Sequence, residues 1–165
     1  MTPSEILKKY NICPKKSLGQ NFLINIDILS KIATYINLIW QNVIEIWPWY
    51  GALTEKLLIQ NPKFLELIEL DKKMTEILEL RAKNWELKIN KNIKFNIKNI
   101  DVLKYQPEIK DYFLIANIPY YITSPILFHF LYEVKNNPKS MIILMQKDVA
   151  DKIRKVNWNK NSVLS

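Results

Sequence analysis

Five short, uninterrupted apolar runs, separated by segments with helical periodicity, limit the possible folds of this chain more than any other feature. The predicted strands are residues 43–47, 64–70, 93–97, 112–117 and 140–145. The predicted helices are residues 26–38, 52–60, 72–84, 124–135 and 146–155. Apolar strands that alternate with helices are typical of a parallel sheet covered on both faces. The pattern therefore predicts an open, doubly wound α/β fold whose ligand site lies beyond the carboxyl ends of the strands.

The length predicts a single domain, residues 1–165, because two separate cores would each be too small. No run of about 18 apolar residues is present, and the first ten residues lack the apolar stretch of a secretory signal. We therefore expect no membrane span and a cytoplasmic location. The single cysteine, Cys13, excludes an internal disulfide and any cysteine-rich metal site, and no bound metal is expected.

The formal net charge of +8 is compatible with a polyanionic partner such as nucleic acid. The excess lysines are spread along the chain and include small clusters at Lys8–Lys9, Lys15–Lys16 and Lys72–Lys73. A lysine-, asparagine- and isoleucine-rich composition also arises from AT-rich coding. Charge alone therefore leaves RNA binding and coding bias as alternatives.

Two acidic residues follow predicted strands at the edge where a ligand would bind. Glu69 closes the second strand, and a carboxylate there can bind both ribose hydroxyls of a nucleoside. Asp101 follows the third strand and can accept a hydrogen bond from an adenine amino group. The alternatives are a solvated charge at a strand end for Glu69 and an ordinary N-cap or turn aspartate for Asp101.

The segment NIPYY, residues 117–121, has the chemistry needed to hold an adenine for alkylation at its amino group. That amine is a poor nucleophile because its lone pair is delocalised, so an enzyme must supply acceptors for its hydrogens and a flat surface for the base. Asn117 offers a side-chain carbonyl, Pro119 stiffens the loop, and Tyr120 offers a stacking face. The alternative is a strand-to-loop turn with an aromatic plug.

Five segments, in order, resemble the ribosomal RNA adenine N6-dimethyltransferase family, specifically its small-subunit enzymes. They are KKSLGQNFLIN (15–25), VIEIWPWYGALTEKLL (43–58), IELD (68–71), NIPYYITSPIL (117–127) and MIILMQKDVADKI (141–153). The second matches the family pattern V-x-E-I-G-P-G-x-G-x-L-T-x-x-L. The fourth matches N-L-P-Y-x-I-S-T-P-I-L with Thr123 and Ser124 in swapped order. The resemblance covers almost the whole chain.

The resemblance implies a Rossmann-like fold that uses S-adenosylmethionine, with residues 1–25 forming a basic segment and cofactor motif. It implies cofactor contacts at Asn21, Leu23, Trp47, Glu69, Asp101 and Asn117. It places Asn117, Pro119 and Tyr120 around the target adenine. The implied reaction is in-line methyl transfer to two adjacent adenosines near the 3′ end of small-subunit rRNA, by a monomer acting on the pre-ribosomal small subunit. Relative to that family, we expect the last sheet strands and a C-terminal helical domain to be lacking.

Trp47 and Trp49 stand where the family has glycines, which allow positive φ and close backbone approach to a ligand. The chain has only two glycines, whereas average usage predicts roughly 12, and it has five tryptophans. One hypothesis explains both: the source genome reads UGA as glycine, and this translation reads it as tryptophan. The hypothesis covers five positions, each at a motif glycine or in a turn-like or loop stretch: Trp40, Trp47, Trp49, Trp85 and Trp158.

Two other functions remain open at the level of sequence. Genuine tryptophans at positions 47 and 49 favour a cofactor-free RNA-binding pseudoenzyme or ribosome assembly factor. A DNA adenine methylase would carry a motif related to NIPYY, but the segment GQNFL argues against it.

Overall fold

The structure is a computed structural model, which describes residues 3–12, 25–86, 92–145 and 147–154. Five strands form its sheet: β1 Asn42–Ile46, β2 Phe64–Glu69, β3 Lys94–Asn99, β4 Tyr112–Asn117 and β5 Ser140–Leu144. All neighbouring strands pair in parallel, in the order β3-β2-β1-β4-β5. The strand order reverses between β1 and β4, and such a switch point opens a crevice beyond the carboxyl ends of the two strands.

In the described ranges six α-helices accompany the sheet: α1 Pro3–Lys9, α2 Ile26–Thr34, α3 Ala52–Ile59, α4 Lys72–Glu86, α5 Thr123–Phe128 and α6 Lys147–Arg154. Short 3-10 turns cover Val102–Lys104 and Tyr120–Ile122, and one π-helical turn covers His129–Glu133. The predicted doubly wound α/β fold is therefore confirmed.

Two apolar clusters lie on opposite faces of the sheet, because successive strand residues point to opposite sides. On one face, Ile44, Ile46 and Leu114 pack with residues of α1, α5 and the π-helical turn. On the other face, Val43 and Ile115 pack with residues of α2 and α3. The fifteen-residue helix α4 contributes to both clusters.

Helix α2 ends at Thr34, four residues before the predicted end at residue 38. Its start is fixed by Asn25, whose Oδ1 accepts hydrogen bonds from the amides of Asp27 at 3.0 Å and Ile28 at 3.1 Å. Near the other end, Asn37 Oδ1 accepts from the amide of Ile39 at 3.0 Å. Such a local side-chain turn competes with continued helix, which explains the early stop.

Three other parts of the sequence-based interpretation need correction. The single helix predicted for residues 124–135 is α5 followed by the π-helical turn, whose late carbonyls at Phe130 and Leu131 accept from Asn137 Nδ2. Trp85, interpreted above as a turn residue, lies inside α4. Helix α1 was not predicted, yet it buries Ile6 in the core.

Within the described ranges, every helix is too short or too polar to cross a lipid bilayer.

Candidate cofactor and adenine site

The turn between β1 and α3, residues 47–51, crosses the carboxyl edge of the sheet and is fastened there by main-chain amides. The Trp47 amide donates to the carbonyl of Ile68 at 3.0 Å, which extends the pairing of β1 with β2. The Trp49 amide donates to Glu69 Oε2 at 3.2 Å. The Gly51 amide donates to the Pro48 carbonyl at 2.8 Å, closing a tight turn directly before α3. The turn therefore lies directly against the end of β2.

Glu69 ends β2 with its carboxylate buried, at 1% exposure. Besides the Trp49 amide, it accepts a hydrogen bond from the Asp71 amide at 2.8 Å. Burial raises the pKa of Glu69 to about 7, and the two amide hydrogen bonds oppose this rise. A buried carboxylate held by two amides is positioned to accept further hydrogen bonds from ligand hydroxyls.

Glu45 is a second buried carboxyl in the same region, and the sequence interpretation did not include it among the site residues. It lies on β1, lines a small cavity with Trp47 and Asn117, and accepts a hydrogen bond from Thr54 Oγ1 at 2.7 Å. Burial raises the pKa of Glu45 to about 8, the Thr54 hydrogen bond lowers it, and the charge of Glu69 adds to the rise. The available signal was a single acid inside an otherwise apolar strand.

Asp101 follows β3 and is half-buried. Its Oδ1 accepts from the Leu103 amide at 3.0 Å, so it caps the 3-10 turn, as its alternative interpretation required. The preceding residue, Ile100, donates its amide to the Glu69 carbonyl at 3.0 Å. Asp101 therefore lies at the same edge of the sheet as Glu69, with one carboxylate oxygen engaged locally.

Asn117 ends β4, next to β1 at the switch point. Its main-chain carbonyl accepts a hydrogen bond from the indole Nε1 of Trp49 at 3.2 Å. Pro119 follows, and its carbonyl accepts from Thr123 Oγ1 at 3.3 Å, which ties the loop to the start of α5. Tyr120 begins the 3-10 turn after it, and the stacking role of its ring stays a prediction.

Trp49 therefore touches both predicted halves of the site. Its amide binds the Glu69 carboxylate, and its indole binds the Asn117 main-chain carbonyl, so one residue joins the ends of β2 and β4 beside the switch-point crevice. Asp101 borders the Glu69 end of that crevice through Ile100. The predicted contacts at Asn21 and Leu23 lie outside the described residues.

The hydrogen-bond acceptors at this edge suit a nucleoside, but the space beside the two indoles does not suit the cofactor. The indoles of Trp47 and Trp49 stack with ring centroids 5.9 Å apart, and each is only 5% exposed. The cavity that they line with Glu45 and Asn117 measures about 10 Å³, which is close to the room of a single water. With tryptophan at both positions, the two indoles cover the Asn117 carbonyl, and the cavity left beside them is far smaller than S-adenosylmethionine.

Arg81 on α4 supports the turn from outside the crevice, and sequence reasoning also missed it. Its guanidinium donates to the carbonyl of Tyr50 and to the carboxylate of Glu55 on α3, and it lies 5.1 Å from the ring centroid of Trp85. Arg81 is buried, whereas Glu55 is partly exposed. A helical arginine has no sequence signal that distinguishes this contact from a solvated one.

Metal binding has no support in the part of the chain that the structure describes: no three His, Cys, Asp or Glu side chains are grouped closely enough to hold an ion.

Comparison with known proteins identifies the family. Residues 13–165 match the sequence model described as ribosomal RNA adenine dimethylase. The ribosomal RNA small subunit methyltransferase A of Mycoplasmopsis synoviae is 38% identical over 155 residues, which cover 92% of this chain and 57% of that protein. The chain spans about half the length of the curated relatives that it matches.

Two solved structures share the fold. A dimethyladenosine transferase from Plasmodium falciparum has a TM-score of 0.68 at 28% identity, covering 81% of this chain and 46% of that one. The 23S rRNA methyltransferase ErmE has a TM-score of 0.67 at 26% identity, covering 80% of this chain and 50% of that one. Together with the family match, these similarities show that this chain belongs to the ribosomal RNA adenine dimethylase family.

Proposed function

We propose that this chain is the catalytic part of an rRNA adenine N6-dimethyltransferase that uses S-adenosylmethionine. The observation that carries the proposal is the convergence of Glu69 and Asn117 on one crevice, bridged by Trp49, at the switch point of a doubly wound sheet. Ligands of such sheets bind at this edge. Family membership and the name of the Mycoplasmopsis synoviae relative support the reaction class.

Each site residue has a proposed role that follows from its chemistry. Glu69 is a buried acceptor suited to the ribose hydroxyls of the cofactor. Asp101 keeps one carboxylate oxygen beyond its cap bond and is suited to the amino group of the cofactor adenine. Asn117, Pro119 and Tyr120 form the loop suited to the target adenine. The cofactor supplies an activated methyl group when bound, and the protein supplies position and acceptors.

The proposed substrate is small-subunit rRNA in the pre-ribosomal particle, with two adjacent adenosines near its 3′ end as targets. The name of the bacterial relative and the net charge of +8 support an RNA substrate of this class. We further propose that the protein acts as a monomer in the cytoplasm, where ribosomes are assembled.

The test is methyl transfer to small subunits that lack adenine dimethylation, followed by nucleoside mass spectrometry. The chain with Trp47→Gly and Trp49→Gly is expected to form N6,N6-dimethyladenosine, and the same chain with Asn117→Ala is expected to form at least about 100-fold less. Duplex DNA is the competing substrate. Transfer to DNA instead of rRNA, or no transfer by a folded glycine form, would contradict the proposal.

A second candidate is an RNA-binding assembly factor without methyl transfer. One observation favours it: the two indoles are buried against the loop at Asn117 and leave a cavity of only about 10 Å³ beside it. This candidate requires that the native protein carry tryptophan at both positions and bind small-subunit RNA without binding S-adenosylhomocysteine. A filter-binding assay beside a calorimetric titration separates the two functions.

A further inference from the structure

We propose that positions 40, 47 and 49 are glycine in the protein that its own cell makes, and that the cofactor crevice is open only in that form. In this account the three codons are UGA, translated as tryptophan in this sequence and read as glycine by the cell. The assignment of glycine rests on backbone geometry and composition. The statement that the cofactor crevice opens rests on the proposed function.

The backbone dihedrals separate these tryptophans from ordinary residues. Among the described residues, six non-glycine positions have positive φ: Asn11, Trp40, Trp47, Asn61, Trp49 and Asp111. Asparagine and aspartate are the side chains that tolerate this left-handed region, whereas a bulky residue there is a true outlier. The three tryptophans, with φ of 58°, 53° and 58°, are therefore the only bulky side chains in that set. Glycine has no such restriction.

Composition points the same way. The chain has two glycines among 165 residues, where average usage predicts roughly 12. The one glycine that the structure describes, Gly51, also has positive φ, at 85°. The left-handed positions of this fold are thus occupied by glycine, by the asparagine and aspartate that imitate it, and by tryptophan.

The contacts that fix the turn at positions 47 and 49 need no side chain. The two amides donate to the Ile68 carbonyl and to Glu69 Oε2, and glycine keeps both bonds. The indoles instead fill the crevice, and the one hydrogen bond from Trp49 Nε1 covers the Asn117 carbonyl. Glycine at both positions removes the two stacked rings and uncovers that carbonyl.

Trp40 shows that tryptophan at a left-handed backbone position is not confined to the crevice. It lies in the turn between α2 and β1, at the opposite end of the strand, and its indole is 61% exposed. Its amide donates to the Asn61 carbonyl at 3.1 Å, which again requires only backbone. A shared codon explains why two distant turns carry the same unsuitable residue.

Trp85 defines the limit of the proposal. It has helical backbone within α4, its indole is buried, and its Nε1 donates to Glu55 Oε1 at 3.0 Å. Backbone geometry therefore does not require glycine at position 85, although the hypothesis drawn from the sequence included that position. Trp158 lies outside the described residues.

The direct test is peptide mass spectrometry of the protein from its native cells, together with the codons at positions 40, 47 and 49. Glycine in the native peptides supports the proposal. Tryptophan in those peptides, or UGG at the codons, overturns it. This result does not depend on any activity of the protein.

A matched set of recombinant chains tests the physical basis. The variant with glycine at positions 40, 47 and 49 is expected to melt about 10 °C above the variant with alanine there, because alanine removes the indoles but keeps the left-handed penalty at all three positions. Equal melting temperatures would contradict the backbone argument. By titration calorimetry, the glycine form is expected to bind S-adenosylhomocysteine at least about 100-fold more tightly than the tryptophan form.

The two possible failures remain distinct. Equal affinity of the tryptophan and glycine forms would overturn the claim that the indoles close the crevice. Native glycine combined with a folded glycine form that binds no S-adenosylhomocysteine would support the residue assignment and overturn the open crevice, and with it the proposed function.

Discussion

The main-chain amide of Trp49 lies 3.2 Å from the Oε2 atom of Glu69, and this contact joins the first motif turn to the acid that ends the next strand. The same residue reaches Asn117 with its indole. Trp49 therefore marks the point where three sequence segments, far apart along the chain, meet at one edge of the sheet. Two of its roles differ in kind: the amide contact needs no side chain, whereas the indole covers the Asn117 carbonyl.

Stability is expected to fall as pH rises from about 5 to about 8.5. Glu45 and Glu69 have an ordinary pKa of 4.5, and burial raises these to about 8 and about 7 in the folded chain. The folded state therefore holds more protons than the unfolded chain in this window, and its advantage is lost as pH passes the folded pKa values. Thermal unfolding across the window should show a drop of several degrees.

The double substitution Glu45→Gln and Glu69→Gln is the control for that profile. Glutamine keeps the shape of each side chain but does not titrate, so the melting temperature of this variant should be nearly flat over the same range. A wild-type profile that rises with pH would contradict the assignment of raised pKa values.

Cofactor affinity is expected to have the opposite pH dependence. Ionised Glu69 is the better acceptor for ribose hydroxyls, and its pKa lies at about 7 because the group is buried. In the Trp47→Gly, Trp49→Gly form, the open crevice hydrates Glu69 and lowers its pKa from that value, so binding of S-adenosylhomocysteine should tighten as pH rises through the pKa of Glu69 and level off above it. Glu69→Gln in that background should bind weakly and without this dependence, whereas an unchanged pH profile would exclude Glu69 from the ribose contact.

Gly51→Ala is expected to destabilise the chain by about 2 kcal/mol. Gly51 has φ of 85°, and a methyl group there would lie 2.6 Å from Trp85 Cη2 and 3.0 Å from Leu78 Cδ2. Repeating the substitution in a Trp85→Leu background removes the closest steric contact, so the backbone cost and the looser contact with Leu78 should remain. Denaturant unfolding of the original chain, the two single variants and the double variant measures how much of the loss depends on Trp85. A Gly51→Ala variant as stable as the original chain would contradict the turn geometry.

Arg81→Met is expected to cost about 2 kcal/mol of unfolding free energy, because it leaves the buried Tyr50 carbonyl without its charged donor. Its partner Glu55 is partly exposed, so the ion pair itself contributes little. Glu55→Gln is the matched control and should cost less than half as much. Similar losses in both variants would place the effect in the ion pair instead.

Sequence patterns were sufficient to predict the strands and the placement of Glu69, Asp101 and Asn117 at one edge. Uninterrupted apolar runs identify buried parallel strands, and parallel strands bring their carboxyl ends together. The common edge of these three residues was therefore accessible from sequence once each was assigned to the end of a strand, and their roles stay a prediction.

Other features depended on tertiary contacts that local patterns do not contain. Arg81 resembles any surface arginine on a helix until α3 and the turn are placed beside it. Trp85 follows a polar stretch that resembles a turn, but packing against Phe95 and Glu55 favours its place in α4. Helix α1 is only seven residues long, so its formation depends on burying Ile6 rather than on helix propensity.

We propose that the end of β2 and the glycine form of the turn together bind the cofactor. Titration calorimetry of S-adenosylhomocysteine into the Trp47→Gly, Trp49→Gly chain, with and without Glu69→Ala, tests it most directly. We expect the glycine form to bind with a dissociation constant in the range of about 1 μM to 1 mM. We expect Glu69→Ala to abolish this binding while the fold persists. No binding by the folded glycine form, or binding that is indifferent to Glu69, would contradict it.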